Sequence, residues 1–421
     1  MKSLRLAAAT AAALASGAAL AQSGPPSVVE MYGTAMPFLE SAETSGATAA
    51  APTNKPSQVG SAAYNGVNDS RRQRITVGTS NWGFRGYEQL APELRLTWQL
   101  ESAFQLDQNT GPGIGARNSK VGLVSPLWGE IMMGQWDTPY KFISLAINPL
   151  RAGYDFDYTP IMGNPGMGVP VTTTQPTRIG AKPDAAFDKR IGNVVQYWSP
   201  KWGGLSLRVA YQADEGTGPV AAGGPVVHPD IVSAAAIWEL GPNFSIRVAG
   251  EKHRDYFGMS QLGGGAAGTA TNSSSKDTAG KIVAIWKVGG FRVAAAAEQL
   301  KYHNDDSTAG NVNEYKRTAY YVLVEQSWGP NAVWASYGRA ADGTCSKVGG
   351  ADCVTGGLGA DYWAAGYIYH FSKRTDGYIT YYSLTNKESG QYSVQPVVGT
   401  AAAIAPGADI KAFGVGLLHI F

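Results

Sequence analysis

Apolar and polar residues alternate along many short segments of this chain. Leu205, Leu207 and Val209, for example, are separated by Ser206 and Arg208. A period of two places apolar side chains on one face of a β-strand and polar side chains on the other. The pattern therefore predicts an all-β protein whose strands have one apolar and one polar face.

Two kinds of connection join these segments, and they alternate along the chain. The short ones are turn clusters such as Gly241-Pro242-Asn243 and Gly289-Gly290. The long ones are polar stretches at about 41–70, 213–229, 253–278, 302–315, 341–359 and 385–408. This alternation indicates an up-and-down antiparallel sheet with every short turn at one end. Sixteen strands are expected, at about 27–40, 72–87, 93–105, 117–126, 130–136, 189–199, 204–212, 231–240, 243–252, 279–288, 291–301, 316–328, 331–340, 360–371, 374–384 and 409–421.

The number of strands indicates which face of the sheet contacts water and which contacts lipid. A sheet of about sixteen strands encloses more volume than its own side chains can fill. The polar, Arg-bearing face is therefore expected to line water inside, and the apolar face to meet lipid outside. Because open sheet edges are not stable in lipid, the sheet must close into a transmembrane β-barrel.

Tryptophans near the short turns support a membrane location. Five of the eleven lie within three residues of such a turn: Trp128, Trp202, Trp238, Trp286 and Trp328. Trp is favoured at the boundary between water and hydrocarbon. The alternative is that they pack hairpin ends in a soluble protein.

A soluble β-propeller and a periplasmic lectin-like binding protein are the structural rivals. The turn spacing near 40 residues overlaps the length of a propeller blade, but a blade needs four strands and each repeat here supplies two. Solubility of the native protein without detergent would favour either rival.

Composition and charge narrow the class further. Charged residues make up 16% and aromatic residues 10% of the 421 positions, which excludes a disordered chain. Residues 1–21 are expected to be a cleaved signal peptide, with Lys2 and Arg5 before an apolar run and Ala19-Leu20-Ala21 at the cleavage site. Its removal leaves 22–421 as one barrel domain with as many basic as acidic residues, so a nucleic-acid partner is not expected.

Few residues of the chain suggest a catalytic, metal-binding or redox site. The only two cysteines, Cys345 and Cys353, are expected to form a disulfide that closes a small loop in an oxidising compartment. The five histidines, His228, His253, His303, His370 and His419, stand in no nucleophile or metal-binding motif. We therefore expect no enzymatic activity and no cofactor or bound metal.

Several motifs resemble those of one protein family. Residues 28–33, 81–90, 371–376 and 415–421 are similar, in this order, to the first strand, the second strand and first turn, the penultimate turn and the last strand of general porins of beta-proteobacteria. The resemblance implies a sixteen-stranded outer-membrane barrel with an inward-folded third loop. It also implies a homotrimer that passes ions and small hydrophilic solutes by diffusion. The terminal Phe421 resembles the signal read by the barrel-assembly machinery.

The same resemblance implies where the channel narrows. The third loop is expected to run from about Asp137 to Phe187 and to carry the constriction acids Asp155 and Asp157. These would oppose charged wall residues on the polar face: Arg74, Arg95, Glu101, Arg117, Arg190 and Arg208. Alternatively, the two acids form turns, and each arginine is a solvated lumen residue without a selective role.

One departure from the family pattern concerns ion preference. Gln135, in Gly134-Gln135-Trp136, stands where the family usually has an arginine. Together with the neutrality of residues 22–421, this argues against strong anion selectivity. A substrate-selective channel is the alternative to a general one.

Overall fold

The computed structural model describes residues 28–48, 68–104, 106, 114–151, 156–169, 184–213, 217–219, 223–394 and 404–421. The expected signal peptide and Asp155 lie outside these ranges. Within them, sixteen antiparallel strands form one sheet. They are β1 (Val28–Ala35 continued by Phe38–Ser45), β2 (Arg72–Thr76 continued by Asn81–Ala91), β3 (Leu94–Ala103), β4 (Ser119–Ser125), β5 (Gly129–Asp137), β6 (Arg190–Trp198), β7 (Leu205–Gln212), β8 (Asp230–Glu239), β9 (Phe244–Arg254), β10 (Asn272–Val288), β11 (Phe291–Asp306), β12 (Val312–Trp328), β13 (Asn331–Ala340), β14 (Ala360–His370), β15 (Thr375–Asn386) and β16 (Asp409–Ile420).

The sheet closes on itself through its first and last strands. Each strand pairs with its neighbours in sequence, and β1 also pairs with β16, where Thr34 faces Ile420 and Phe38 faces Gly416. The amide of Phe421 donates to the carbonyl of Gly33, and the Gly33 amide donates back. A Cβ at Gly33 would collide with the Phe421 ring, so only glycine fits at this closing contact. The predicted sixteen-stranded closed barrel is confirmed.

The strand predictions are correct in number and order, and they differ mainly at the long-loop ends. β10, β11 and β12 extend four to seven residues further than the alternation indicated, because their polar ends still pair with each other. A short strand at Thr344–Lys347, within a stretch expected to be a loop, pairs with the end of β12. These pairings are non-local, and no pattern within one segment indicates them.

The outer face is apolar, as predicted. On β12, Tyr320, Val322 and Val324 are 36–43% exposed, whereas the intervening Tyr321 and Leu323 are fully buried. Because alternate residues point to opposite faces, the exposed apolar set faces outward. Trp202, Trp238, Trp286 and Trp328 are about half exposed at the short-turn end. They form one aromatic girdle of a membrane barrel.

The third loop, residues 138–189, begins with a short helix. Thr138 caps α1 (Pro139–Ser144) by accepting a hydrogen bond from the Lys141 amide, and Pro139 occupies the first turn. A single turn, α2 (Gly258–Gln261), follows β9. Among the described residues, neither helix has the length and apolar character needed to cross a bilayer.

The described parts of the third loop contact the inner face of the sheet. The Phe156 ring lies 5.6–5.7 Å from the rings of Phe38, Trp334 and Tyr378, and all four side chains are buried. The expectation that the whole inner face lines water is therefore wrong for this part of the wall. Its inner positions are aromatic, aliphatic or small, and contact with the loop removes them from water.

A charge on the outer face is expected to destabilise the barrel. Replacing Val324 with Lys places an ammonium group among acyl chains, at a cost of about 2–4 kcal/mol near the midplane. Val354→Lys, in an exposed loop, is the matched control and should change stability by less than about 0.5 kcal/mol. Unfolding titrations in phospholipid vesicles measure both. Equal effects would contradict the orientation of β12.

The disulfide between Cys345 and Cys353 is present, with the two Cα atoms 5.6 Å apart. It joins two residues eight positions apart between β13 and β14, and Cys345 lies in the short strand that pairs with the end of β12. For a loop of this length, chain entropy accounts for roughly 2–3 kcal/mol. We expect Cys345→Ser/Cys353→Ser to fold and to conduct like the parent protein. The measurements are heat-modifiable migration on gels and single-channel conductance, and loss of the folded form would show that the bond is essential.

Candidate functional site

The interior of the barrel has two unlike sides. On β2 to β5, inward side chains such as Arg85, Arg95, Thr97 and Gln99 remain exposed or half exposed. We call this side the open wall. On β8 to β16 and the second half of β1, most inward side chains are buried, and we call this side the packed wall. Water-filled space is therefore concentrated along the open wall.

Three of the sequence-predicted wall residues, Glu101, Arg117 and Arg190, come together between the open wall and β6, where Glu101 and Arg190 are buried. Arg117 Nε donates to Glu101 at 2.8 Å, and the Tyr32 hydroxyl donates to the same carboxylate at 3.0 Å. Arg190 lies beside them, because its Nε donates to Asn118 Oδ1 at 2.6 Å, and its Nη2 lies 3.3 Å from Asp137 Oδ1.

Asp137 joins this group to the third loop. Its carboxylate lies 3.2 Å from the Lys141 Nζ and accepts a hydrogen bond from Asn118 Nδ2 at 2.9 Å. Burial lowers the pKa of the Lys141 ammonium group, and the neighbouring Asp137 opposes that shift. The result is a line of paired acidic and basic groups that crosses from β3 to the first turn of the loop.

The other predicted wall arginines stand apart. Arg74 pairs with Glu40 at 2.7 Å, and Arg95 donates to Gln89 at 2.7 Å. The Arg208 guanidinium lies 3.3 Å from the centre of the Phe142 ring and 3.8 Å from that of Trp198. Arg208 is thus held by cation–π contacts between wall and loop rather than by a carboxylate.

Asp157 has a local role in the loop. It is 3% exposed, and its Oδ1 accepts hydrogen bonds from the amide and hydroxyl of Thr159 at 2.7 and 2.6 Å. This geometry is that of a turn-forming aspartate. A part for Asp157 in the constriction stays a prediction, as does that of Asp155.

Gln135 binds backbone instead of presenting a charge. Its side-chain amide donates to the carbonyls of Ala116 and Arg117 at 2.7 and 3.2 Å. The contact ties the second long loop to β5, next to the Arg117–Glu101 pair.

A buried ionic cluster joins the third loop to the packed wall. We call it the anchoring cluster; its members are Tyr140 and Asp188 of the loop and Lys281, Glu298 and Arg317 of the wall. Lys281 Nζ lies 2.7 Å from Asp188 and 3.4 Å from Glu298, and Arg317 Nη1 lies 2.9 Å from Glu298. The Tyr140 hydroxyl donates to Glu298 at 2.9 Å. Two cations and two anions balance, as burial in a low dielectric requires.

Backbone groups of the loop complete this cluster. The Gly163 amide donates to Glu298 at 2.8 Å, and Arg317 donates to the carbonyls of Ile161 and Asn164. Gly163 has φ of 78°, and a Cβ there would collide with Asp188. Burial raises the pKa of the Asp188 carboxyl, although Lys281 opposes the shift. Charge and shape together fix the position of the loop against the wall.

The loop also reaches the short-turn end of the barrel. Arg151 Nη2 lies 2.7 Å from Asp376, and its Nη1 donates to the carbonyl of Lys373 in the turn between β14 and β15. Arg292, near the turn between β10 and β11, donates to the carbonyl of Asn148. The described part of the loop therefore spans most of the height of the wall.

The sequence pattern indicated the wall arginines but not the acidic residues that pair with Arg74 and Arg190, nor the residues that hold the third loop. Glu40, Asp137 and the anchoring cluster were not predicted. One signal was available, since β12 carries apolar residues on both faces in Tyr320-Tyr321-Val322-Leu323-Val324. A strand with two apolar faces is kept from water on both, here by lipid on the outer face and by the third loop on the inner face. Among the described residues, no group of three or more His, Cys, Asp or Glu could hold a metal ion.

Comparison with known proteins gives one family match. Residues 8–389 match the family model of Gram-negative porins. An outer membrane porin protein of Bordetella pertussis is 30% identical over 140 residues, which cover 31% of this chain. The aligned part spans about 30% of that relative's length.

Solved structures agree with the fold. An anion-selective porin from Comamonas acidovorans superposes with a TM-score of 0.67 at 17% identity, covering 94% of this chain and all of that one. OmpT of Vibrio cholerae gives a TM-score of 0.58 at 14% identity, covering 96% of this chain and 100% of the other. At these identities the likeness concerns the fold alone.

The anchoring cluster is expected to keep the third loop in place. Arg317→Met leaves the carbonyls of Ile161 and Asn164 without their donor and removes one cation from Glu298, at a cost of about 3–5 kcal/mol. We expect faster proteolysis within residues 138–189 and larger, noisier single-channel currents. Arg339→Met, at an exposed position on β13, is the control. Identical behaviour of both variants would show that the cluster does not hold the loop.

Proposed function

Since the chain belongs to the family of Gram-negative porins and is thus an outer-membrane protein, we propose that it forms a water-filled channel for passive diffusion of ions and small hydrophilic solutes. The observation that carries the proposal is the open wall, where charged and polar side chains stay accessible inside a closed barrel. A barrel whose inner face was packed all round would have no such path. The third loop, folded inward, would narrow the path without closing it.

The path should run between the open wall and the third loop. The line of charges from Glu101 and Arg117 to Asp137 and Lys141 lies along that side. The packed wall opposite is sealed by the anchoring cluster and by the rings around Phe156. Solutes would therefore pass along β2 to β7, and residues such as Lys281 and Arg317 would not meet them.

Within the described ranges, the inward carboxylates on this side are all paired with basic residues, whereas two inward arginines are not paired with acids, and this difference supports a preference for anions. Four carboxylates on this side each have a basic partner: Glu30 with Arg85, Glu101 with Arg117, Glu130 with Lys120, and Asp137 with Arg190. Arg95 and Arg208 form no ion pair among the described residues. Unpaired cations give the path a positive field, which raises the local concentration of anions.

Assembly is proposed from the family rather than from contacts. We expect a homotrimer in the bilayer, and we expect the barrel-assembly machinery to read the C-terminal strand that ends in Phe421. Mass measurement of the detergent-solubilised protein separates a trimer from a monomer.

The channel proposal is tested by adding the purified, refolded mature protein to a planar bilayer. Stepwise conductance increases are expected, because a permanently open water-filled path conducts whenever one molecule inserts. Saturation of the current by one solute, but not by others of similar size, would favour a substrate-selective channel. Absence of steps from protein that migrates as a folded barrel would overturn the proposal.

Ion preference should depend on the unpaired arginines. Arg95→Gln removes an inward cation, so the permeability for chloride relative to potassium is expected to fall. Arg339→Gln removes the same charge from an exposed site outside the path and should leave the ratio unchanged. The reversal potential in a potassium chloride gradient measures both. An equal shift in the two variants would mean that the effect comes from net charge and not from the path.

A further inference from the structure

A cavity of about 500 Å³ lies inside the short-turn end of the barrel, next to the third loop. Its floor is the loop segment from Leu145 to Arg151, and its sides are the first residues of β9 and β11 and the last of β10. The turn residues at 241–243 form its rim, so it opens towards the side that short turns face, which in outer-membrane barrels is the periplasm. The volume is within the range of small-molecule sites.

The lining is strongly basic. Four cations, Arg151, Arg247, Lys287 and Arg292, line the cavity together with one carboxylate, that of Glu239. Glu239 forms an ion pair at the rim with Lys201, and both side chains are about half exposed. Its charge also acts on Arg247, but a single carboxylate in the lining does not balance four cations.

Two of the cations, Arg247 and Arg292, have hydrogen-bond donors for which the described residues supply no acceptor. Arg151 is held by Asp376, but Arg292 meets Glu325 at a longer distance of 3.7 Å and donates to the Asn148 carbonyl. The Nε atoms of Arg247 and Arg292 are both buried and have no acceptor among the described residues. An unsatisfied buried donor on a charged group is costly, and a carboxylate is the acceptor that matches a guanidinium best.

The loop side of the cavity has a different character. Leu145, Ala146 and Leu150 of the loop, with Ile285 of the wall, contribute apolar surface. A bare inorganic anion would satisfy the arginines and leave this surface in water. A molecule with a carboxylate and an apolar or aromatic body would satisfy both parts.

We infer that this cavity is a binding site for small organic carboxylates with an apolar body, whose carboxylate is bound by Arg247 and Arg292. The site lies off the charged line of the open wall. It would concentrate such solutes at one mouth of the barrel, and its existence does not depend on whether the path conducts.

The test uses the full mature protein in detergent and isothermal titration calorimetry with benzoate. Benzamide, neutral and of the same shape, and inorganic phosphate are the comparison ligands. We expect saturable binding of benzoate, and at least tenfold weaker binding of the other two. Arg247→Gln should weaken benzoate binding at least tenfold. Arg254→Gln, on the same strand but at the long-loop end, should not change it.

Each other outcome overturns the inference. Absence of saturable benzoate binding removes the site, and equal binding by the Arg247→Gln variant removes its assignment to this cavity. Binding of benzamide or phosphate as tight as that of benzoate contradicts the ligand class. Folding is checked by heat-modifiable migration, and Arg247→Lys, which keeps the charge and removes the guanidinium donors, replaces Arg247→Gln if that variant does not fold; equal binding by it likewise removes the assignment. Conductance recorded on the same samples tests the channel separately.

Discussion

The structure depends on the requirement that every backbone polar group in contact with lipid be hydrogen-bonded within the protein. A strand satisfies half of its groups on each side, so a sheet in lipid must close. Here closure is the pairing of β1 with β16, completed by the exchange of hydrogen bonds between Gly33 and Phe421. Once the sheet is closed, alternation assigns one face of each strand to lipid and leaves the other for the interior.

Closure then creates a second constraint, which is an interior too wide for wall side chains to fill. On one side of the barrel, the third loop fills part of this volume and forms a core with the packed wall. Such a core can bury charges only as a balanced set, and the anchoring cluster provides two cations and two anions with backbone donors and acceptors around them. The division into an open and a packed wall follows from this, and with it the course of the proposed path.

The sequence predicted the strands well because alternation is local and is imposed by lipid on every strand. Alternation also led to Glu101, which occupies an inward strand position, whereas Arg117, expected to lie in a strand, lies two residues before β4 and reaches Glu101 from the second long loop. The sequence did not predict that Glu298 meets Tyr140, because 158 positions separate them and no periodicity connects a loop to a wall. The apolar inner positions of β12 held partial information, because they show that something covers that face, although not what does.

Net charge is a poor guide to the field inside such a barrel. Residues 22–421 carry equal numbers of acidic and basic groups, which by itself argues against a charge preference. However, Arg95, Arg208 and Arg247 lie near the short-turn end, whereas exposed acids such as Asp305 and Asp352 lie in or next to long loops at the other end. A strand of ten residues separates the ends by roughly 30 Å, and charges further apart than about 10 Å are largely screened in physiological salt. The acids that balance the sum therefore do not neutralise the inner arginines, and only charges within about 10 Å decide the local potential.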